Sequence, residues 1–214
     1  MRIIYSVMIF VILWMLTSIS VSPCQPISKI RISSEKAIEL PEPKHDGNTS
    51  IEKALQNRRS IRNFKDDSLT LAEVSQLLWA AQGVTDPQGF RTTPSAGALY
   101  PLEVYVVVGK VNNLSVGVYY YNPSDHELIR IWVEDERAKL FEAAFRQSSI
   151  RDCAIVIVIS AVYERTTGKY GERGIRYVHM EAGHAAQNVC LQAVSQNLGT
   201  VTVGALMTIR LGLH

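Results

Sequence analysis

The chain has 214 residues, 47% of them hydrophobic and 20% charged, and its 22 basic and 20 acidic side chains leave a formal charge of +2. A disordered chain would carry fewer apolar residues and a larger imbalance, and a nucleic-acid binder would bring a basic excess to the phosphates, so both classes are set aside. Three cysteines, 13 glycines and 8 prolines exclude a disulfide scaffold and a collagen-like or low-complexity chain.

Met1 and Arg2 precede an apolar run over residues 3–16, interrupted only by Tyr5 and Ser6, and small hydroxylated residues lead on to Pro23. A basic start, an apolar stretch and small residues behind it have the layout of an export signal, and residues 3–21 also approach the roughly 20 residues a membrane anchor needs. Residues 1–22 are expected to stand outside the fold as a signal peptide or membrane anchor, with a tether through residues 1–21 and an extracytoplasmic body. Residues 23–49 read as a linker, because Pro41, Pro43, Asp46, Gly47 and Asn48 break any periodicity. Cys24 follows Pro23, which suits a lipidated cysteine at a cleavage site poorly; Cys153 and Cys190 read as buried core thiols.

The body spans residues 50–214. Ser50 is placed to cap a helix through Ile51, Ala54 and Leu55, and Thr70 with Glu73 forms a capping-box pair ahead of Leu71, Val74, Leu77, Leu78 and Ala81, with Gly83 as the stop. Residues 102–108 are β-branched or aromatic and predict a strand. Residues 116–121 and 127–133 predict a hairpin across Asn122-Pro123-Ser124-Asp125, and residues 135–145 an amphipathic helix. Residues 154–160 show no polar alternation and predict a central strand covered on both faces. A long alanine-rich helix over residues 177–198, ended by Gly199, leads to a last strand over 200–205. The fold class is α+β with a mixed or antiparallel sheet, in one domain without repeats.

Three windows carry chemistry. Arg58-Arg59-Ser60-Ile61-Arg62 sets three guanidinium groups and a hydroxyl within five residues. Such forks suit a phosphate, and the alternative is a solvated basic helix end. Pro94-Ser95-Ala96-Gly97-Ala98-Leu99-Tyr100-Pro101 is a constrained small-residue loop able to approach a flat ligand closely, or simply a tight loop. Lys169-Tyr170-Gly171 precedes Glu181, His184, Gln187 and Asn188. Lys169 and Tyr170 are candidates for proton transfer. Glu181 and His184 share metal-ligand spacing, but once only, and no metal is expected. No P-loop, GxGxxG or GxSxG pattern is present.

In this order and spacing the three windows resemble the nitroreductase superfamily, and more narrowly its SagB/ThcOx-type dehydrogenase branch, which contains flavin oxidases that convert azoline rings in peptides to azoles. The resemblance covers residues 50–206 and implies a nitroreductase-like α+β sandwich, its central sheet flanked by helices, dimeric, with FMN at the interface of a homodimer. It implies that Arg58, Arg59, Ser60 and Arg62 hold the FMN phosphate and ribityl chain. Pro94, Ser95, Ala96 and Gly97 match the loop meeting the partner subunit's flavin, Val203 and Gly204 the strand end beside the isoalloxazine, and Lys169 and Tyr170 the catalytic pair. The implied activity is two-electron transfer between flavin and a small organic or peptide substrate. Outside the cytoplasm, where NAD(P)H is scarce, an oxidase drawing electrons from its own substrate is favoured. Relatives continue past the last flavin-contacting strand, whereas this chain stops at His214, which implies a domain shortened at its C-terminus. The competing expectation is a non-catalytic or truncated binding protein on the same fold.

Overall fold

A computed structural model describes residues 5–11 as backbone and residues 37–205 in full. In chain order the elements are β1 (Tyr5–Val11), β2 (Ile38–Glu39), α1 (Ile51–Asn57), α2 (Leu71–Gln82), β3 (Leu102–Val108), β4 (Gly117–Asn122), β5 (Glu127–Trp132), α3 (Arg137–Ala143), α4 (Ser148–Asp152), β6 (Ile155–Ala161), α5 (Tyr163–Tyr170), α6 (Arg173–Ser195) and β7 (Leu198–Val203). The strands form one sheet in the order β2-β5-β4-β3-β6-β1-β7. Antiparallel pairing runs from β2 through to β6, and β1 then lies parallel to both β6 and β7. This is the mixed α+β sheet that the patterning implies.

The sheet is covered on both faces. Val104, Val106, Val108, Ile155, Ile157 and Ile159 pack with α2 and α6, while Val107, Val156, Val158, Val201 and Val203 pack with Leu140 and Ala144 at α3 and Ile150 of α4. Burial on both sides explains why β6 is continuously apolar rather than alternating. The alanines of α6 (Ala182, Ala185, Ala186 and Ala193) are buried and let the helix sit close to the sheet. Thr70 and Glu73 form the expected reciprocal cap of α2, and Ser50 caps α1. Cys153 and Cys190 are buried free thiols, and burial pushes the Cys153 thiol up to about 12. Cys24 lies outside the described residues.

The amino-terminal expectation is corrected. Within the apolar run, Tyr5–Val11 is a strand between β6 and β7, with Val7 opposite Ile155 on one side and Thr200 on the other. An apolar run fits a strand paired on both sides as well as a helix, and the β-branched Val7, Ile9 and Val11 favour the strand. Among the described residues no helix is long and apolar enough to cross a membrane. Residues 12–22 lie outside the described part.

The linker reading of residues 23–49 is also corrected where the structure describes it. β2 pairs with β5, Leu40 is buried, the Ser75 hydroxyl donates to the Pro41 carbonyl at 2.5 Å, and the Lys44 amide donates to Gln76 Oε1 at 2.7 Å. Prolines exclude a helix there but leave the segment free to strap across α2. Two helix ends differ as well. α6 starts before Tyr177 and closes at Ser195, with Asn197 at φ 61°, while Gly199 lies inside β7. Asparagine tolerates the left-handed conformation that ends a helix, so glycine is not needed. The helices α4 and α5 are too short to show periodicity in sequence.

Candidate active site

The carboxyl ends of β6 and β7 and the amino end of β3 point to one edge of the sheet, because Leu102 pairs with Ala161 and both parallel strands align through β1. The sequence windows converge on this edge in two groups.

The first group is built on the loop between α2 and β3. Its start is anchored from two helices. The Thr92 hydroxyl donates to the Trp79 carbonyl (3.0 Å), and the buried Thr93 hydroxyl donates to the Ala81 carbonyl (2.7 Å). The Asn188 amide donates to Thr92 O (3.2 Å) and Thr93 Oγ1 (3.1 Å). Past Pro94 the backbone turns sharply. Gly97 sits at φ 67°, and Ala98 and Tyr100 also take positive φ, at 54° and 44°. Non-glycine residues adopt this region at a cost, so the surroundings must hold them. They do so through the Tyr100 amide, which donates to Ser95 Oγ (2.9 Å), through Arg165, which donates to Tyr100 O (3.0 Å), and through Arg91, whose guanidinium lies 4.5 Å from the Tyr100 ring centroid.

This turn presses Gly97 against the Lys-Tyr pair. A Cβ at Gly97 would stand 2.7 Å from the Tyr170 hydroxyl and 2.9 Å from Lys169 Nζ, so only a bare backbone fits with those side chains where they are. The pair rides on the last turn of α5. That helix packs on α6 where Gly174 has no side chain; a Cβ there would meet the Thr167 backbone at 2.9 Å. Tyr170 stacks edge-on against Tyr177, with centroids 5.2 Å apart, and Lys169 Nζ lies 5.5 Å from the Tyr170 ring centroid. Lys169 is exposed and Tyr170 half-buried, so both are open to an incoming molecule.

Under the loop lies Glu181, only 2% exposed. Its carboxyl lies near Ser95 and Arg91, Oε1 meets no donor among the described residues, and burial pushes the carboxyl up to about 7. His184 is exposed, so the two residues weighed as metal ligands face different surroundings. Behind the loop, Gln82, Arg91, Glu103, Tyr120 and Arg165 line a polar cavity of about 170 Å³.

The second group lies along β7. Ser60 bridges Thr200 in parallel sense, and the Ile61 amide donates to Thr200 O at 2.8 Å. The arginine segment therefore lies beside β7 at Thr200 and runs in the same sense. Arg59 turns back onto the carbonyls of Gln56 and Arg58 (3.0 and 2.8 Å). Arg58 and Arg62 have no acidic partner among the described residues. Val203 is buried and Gly204 exposed, with open space around the missing side chain among the described residues. Pro94 is exposed, and Ser95 and Ala96 are half-buried, on the other group.

The structure thus joins Ser95–Gly97 to Lys169 and Tyr170, and Arg58–Arg62 to the end of β7, as two separate constellations. Arg91 and Arg165 were not singled out as site residues, being isolated in sequence; Tyr100 lay inside the loop window without a role of its own. Glu181 left a usable signal: a lone carboxylate on the otherwise apolar stripe of Val178, Ala182, Ala185 and Val189.

Comparison with known proteins agrees with these features. The sequence model of the nitroreductase family matches residues 55–212. A nitroreductase-type protein of Methanocaldococcus jannaschii is 54% identical over 155 residues, 72% of this chain and 78% of that protein. The microcin B17-processing protein McbC of Escherichia coli is 31% identical over 143 residues, 61% of this chain and 51% of McbC. The trifolitoxin-processing protein TfxB of Rhizobium leguminosarum bv. trifolii is 29% identical over 140 residues, 59% of this chain and 38% of TfxB. The chain therefore spans about half the length of McbC and well under half that of TfxB. Among solved structures, a nitroreductase-type protein of Ralstonia eutropha superposes with a TM-score of 0.66 at 29% identity, over 77% of this chain and 74% of that one. The E. coli microcin synthetase McbBCD complex with truncated pro-MccB17 gives 0.53 at 27% identity, over 84% and 70%. The chain belongs to the nitroreductase family.

Proposed function

We propose that this chain is an FMN-dependent oxidoreductase that works as a homodimer and moves two electrons between the flavin and a small organic or peptide substrate. The observation that carries the reading is the bare backbone of Gly97 set against Lys169 Nζ and the Tyr170 hydroxyl, at the sheet edge where the arginine segment runs beside β7. The residues present fit FMN. Arg58 and Arg62, without acidic partners among the described residues, match a phosphate dianion, and Gly204 leaves a side-chain-free approach for a ring system. When bound, FMN supplies a centre that accepts or gives a hydride equivalent.

The chain's own groups do the rest. Arg58 and Arg62 grip the phosphate, with Arg59 and Ser60 beside them. Lys169 and Tyr170 hold and move the proton that accompanies hydride transfer at the substrate. Tyr177 orients Tyr170 by edge-on stacking, and the Tyr170 ring steadies the Lys169 ammonium.

Two observations support a second copy of the chain. The two constellations are separate in one protomer, as expected if loop 94–97 serves the partner's flavin. In addition, Ile51 and Leu55 of α1 and Ile175 and Met180 of α6 are exposed on two helices that touch, an apolar surface that a partner would cover. A peptide substrate is favoured by the likeness to the microcin- and trifolitoxin-processing proteins.

Gently purified protein is expected to be yellow, or to become so on adding FMN, and to run as a dimer. Colourless monomer that FMN does not reconstitute would favour a binding module instead. Lys169→Ala is expected to keep the flavin while slowing reoxidation of the reduced protein by a quinone or nitroaromatic acceptor, roughly 100-fold for a lost general acid–base group. Equal rates in the two proteins would remove Lys169 from the chemistry.

A further inference from the structure

We propose that the polar cavity behind loop 92–100 binds a single carboxylate group, borne by a small organic acid or by the end of a peptide, with the buried Gln82 amide and the Arg91 guanidinium as its recognition groups. The cavity lies at β3 and β4, whereas the arginine segment lies at β7, with β6 and β1 between them. It needs no flavin to form.

The recognition groups are set by one amide. Gln82 ends α2 and is 1% exposed. Its Oε1 accepts from Arg91 Nη1 at 3.0 Å, and because a guanidinium only donates, the network fixes which way the amide points. Nε2 is thereby left on the cavity wall, buried and without an acceptor among the described residues. A buried N–H is costly to leave unpaired, and here an acceptor carried by a ligand can reach it. Since the Arg91 bond and the free N–H belong to the same amide, the two donors stand side by side.

Charge and volume select the ligand. Arg165 on α5 is paired with Glu103 at the start of β3, at 2.5 Å. Arg91 has no carboxylate within ion-pairing distance among the described residues. Glu181 lies near it beneath the loop, with a carboxyl that burial pushes up to about 7. Two guanidinium groups and one paired carboxylate leave a single positive charge along the wall, which matches a monoanion and falls short of a phosphate dianion. A carboxylate is planar and takes two parallel N–H bonds, the pattern that Gln82 Nε2 offers beside Arg91. The cavity, about 170 Å³, holds roughly five waters at about 30 Å³ each, or an acid of similar heavy-atom count. Ser124 on its rim is exposed, so a longer ligand can leave its tail outside. Both arginines also hold Tyr100, so an occupant sits against the turn that carries Gly97.

NMR on the nitrogen-labelled full chain tests this at about pH 6, where propionate is ionised and Glu181 largely neutral. Propionate is expected to shift the Gln82 side-chain amide and the Arg91 Nε–H signals together, saturating with a Kd of about 1 mM. Propionamide, its neutral isostere, is expected to bind roughly tenfold more weakly or worse. Inorganic phosphate at equal ionic strength is expected to leave both signals in place, whatever it does at Arg58 and Arg62. In Gln82→Glu the new carboxylate keeps Arg91 paired but removes the free donor and the surplus charge. Propionate affinity, read at Arg91, is expected to fall roughly tenfold or more. N-acetylglycine, which ends as a peptide does, separates the sources: tighter binding than propionate assigns a peptide terminus, weaker binding a free acid. Propionamide binding as well as propionate, phosphate binding more tightly at these signals, or undiminished affinity in Gln82→Glu each overturns the site. No saturable shift from either carboxylate would mark a water-filled cavity and overturns it too. If Gln82→Glu does not fold, the titrations of the parent protein decide alone. Propionate binding beside a failed FMN titration would remove the flavin reading and leave this site standing.

Discussion

The two halves of the candidate site are held in very different ways. Loop 92–100 is tied to α2 by two threonine hydroxyls, to α6 by Asn188, and to α5 by Arg165. The arginine segment is joined to the sheet at Ser60 and Ile61, both against Thr200, with Arg62 exposed and Arg58 half-buried. On the proposed reading, proton transfer demands reacting atoms within hydrogen-bond reach, which suits the firmly held half bearing Lys169 and Tyr170. On the same reading, phosphate binding tolerates looser placement of the arginines, because the ligand itself would supply the charge that orders them.

The largest expected effect separates the halves through β1. Among the described residues, β7 reaches the rest of the sheet only through β1, and the arginine segment reaches the sheet only through β7. Val7→Pro would remove a ladder donor from a strand paired on both sides, at a cost of about 3 kcal/mol or more. Exchange protection at Ile61 and across β7 is expected to collapse before that at Thr92 and Thr93. If Val7→Pro leaves Ile61 and β7 protected as before, β1 is not the bridge between the halves, and the helical reading of the amino-terminal run returns.

That variant also marks the limit of what residues alone reveal. The capping box of Thr70 and Glu73 and the valines of β3 were legible because capping and β-branching act within a few residues. The strand β1 was not, since an apolar run carries no period, and its fate depends on Ile155 and Thr200 far along the chain. The strap at Leu40 and Pro41 was hidden for the same reason: its partners, Ser75 and β5, are distant in sequence. In the site, Arg58, Gly97, Lys169 and Tyr170 stood out through family resemblance, and no local property paired Gly97 with Tyr170. Arg91 and Arg165 gave no sign, because a single arginine in a polar stretch looks the same whether it clamps a turn or faces water.

A middle-sized effect is expected from loading the ordered half directly. Gly97→Ala places a methyl group 2.7 Å from the Tyr170 hydroxyl and 2.9 Å from Lys169 Nζ, at a φ of 67°. The left-handed backbone costs a side-chain-bearing residue about 1–2 kcal/mol, and melting is expected to move down accordingly. Both crowded atoms sit at the ends of flexible side chains, so the fold should survive by moving them. Turnover is therefore expected to drop further than stability, roughly 100-fold for a displacement of about 1 Å at the reacting groups. A variant that loses stability but turns over normally would show that the contact at Gly97 serves packing alone.

The smallest structural effect, and the sharpest contrast, is expected at Arg62. Its side chain is exposed and meets no acidic group among the described residues, so Arg62→Ala should leave stability within about 0.5 kcal/mol of the parent, read by thermal melting. A charged hydrogen bond to phosphate contributes roughly 1.5–3 kcal/mol, so the same change should weaken FMN binding tenfold or more, read by quenching of flavin fluorescence on titration. Lys169→Ala should behave in the opposite way, binding flavin normally and reacting slowly. If Arg62→Ala binds FMN as tightly as the parent, the phosphate does not sit on this segment. If it melts early instead, the segment is part of the scaffold, and the contrast between an ordered half and a ligand-ordered half fails at the residue chosen to display it.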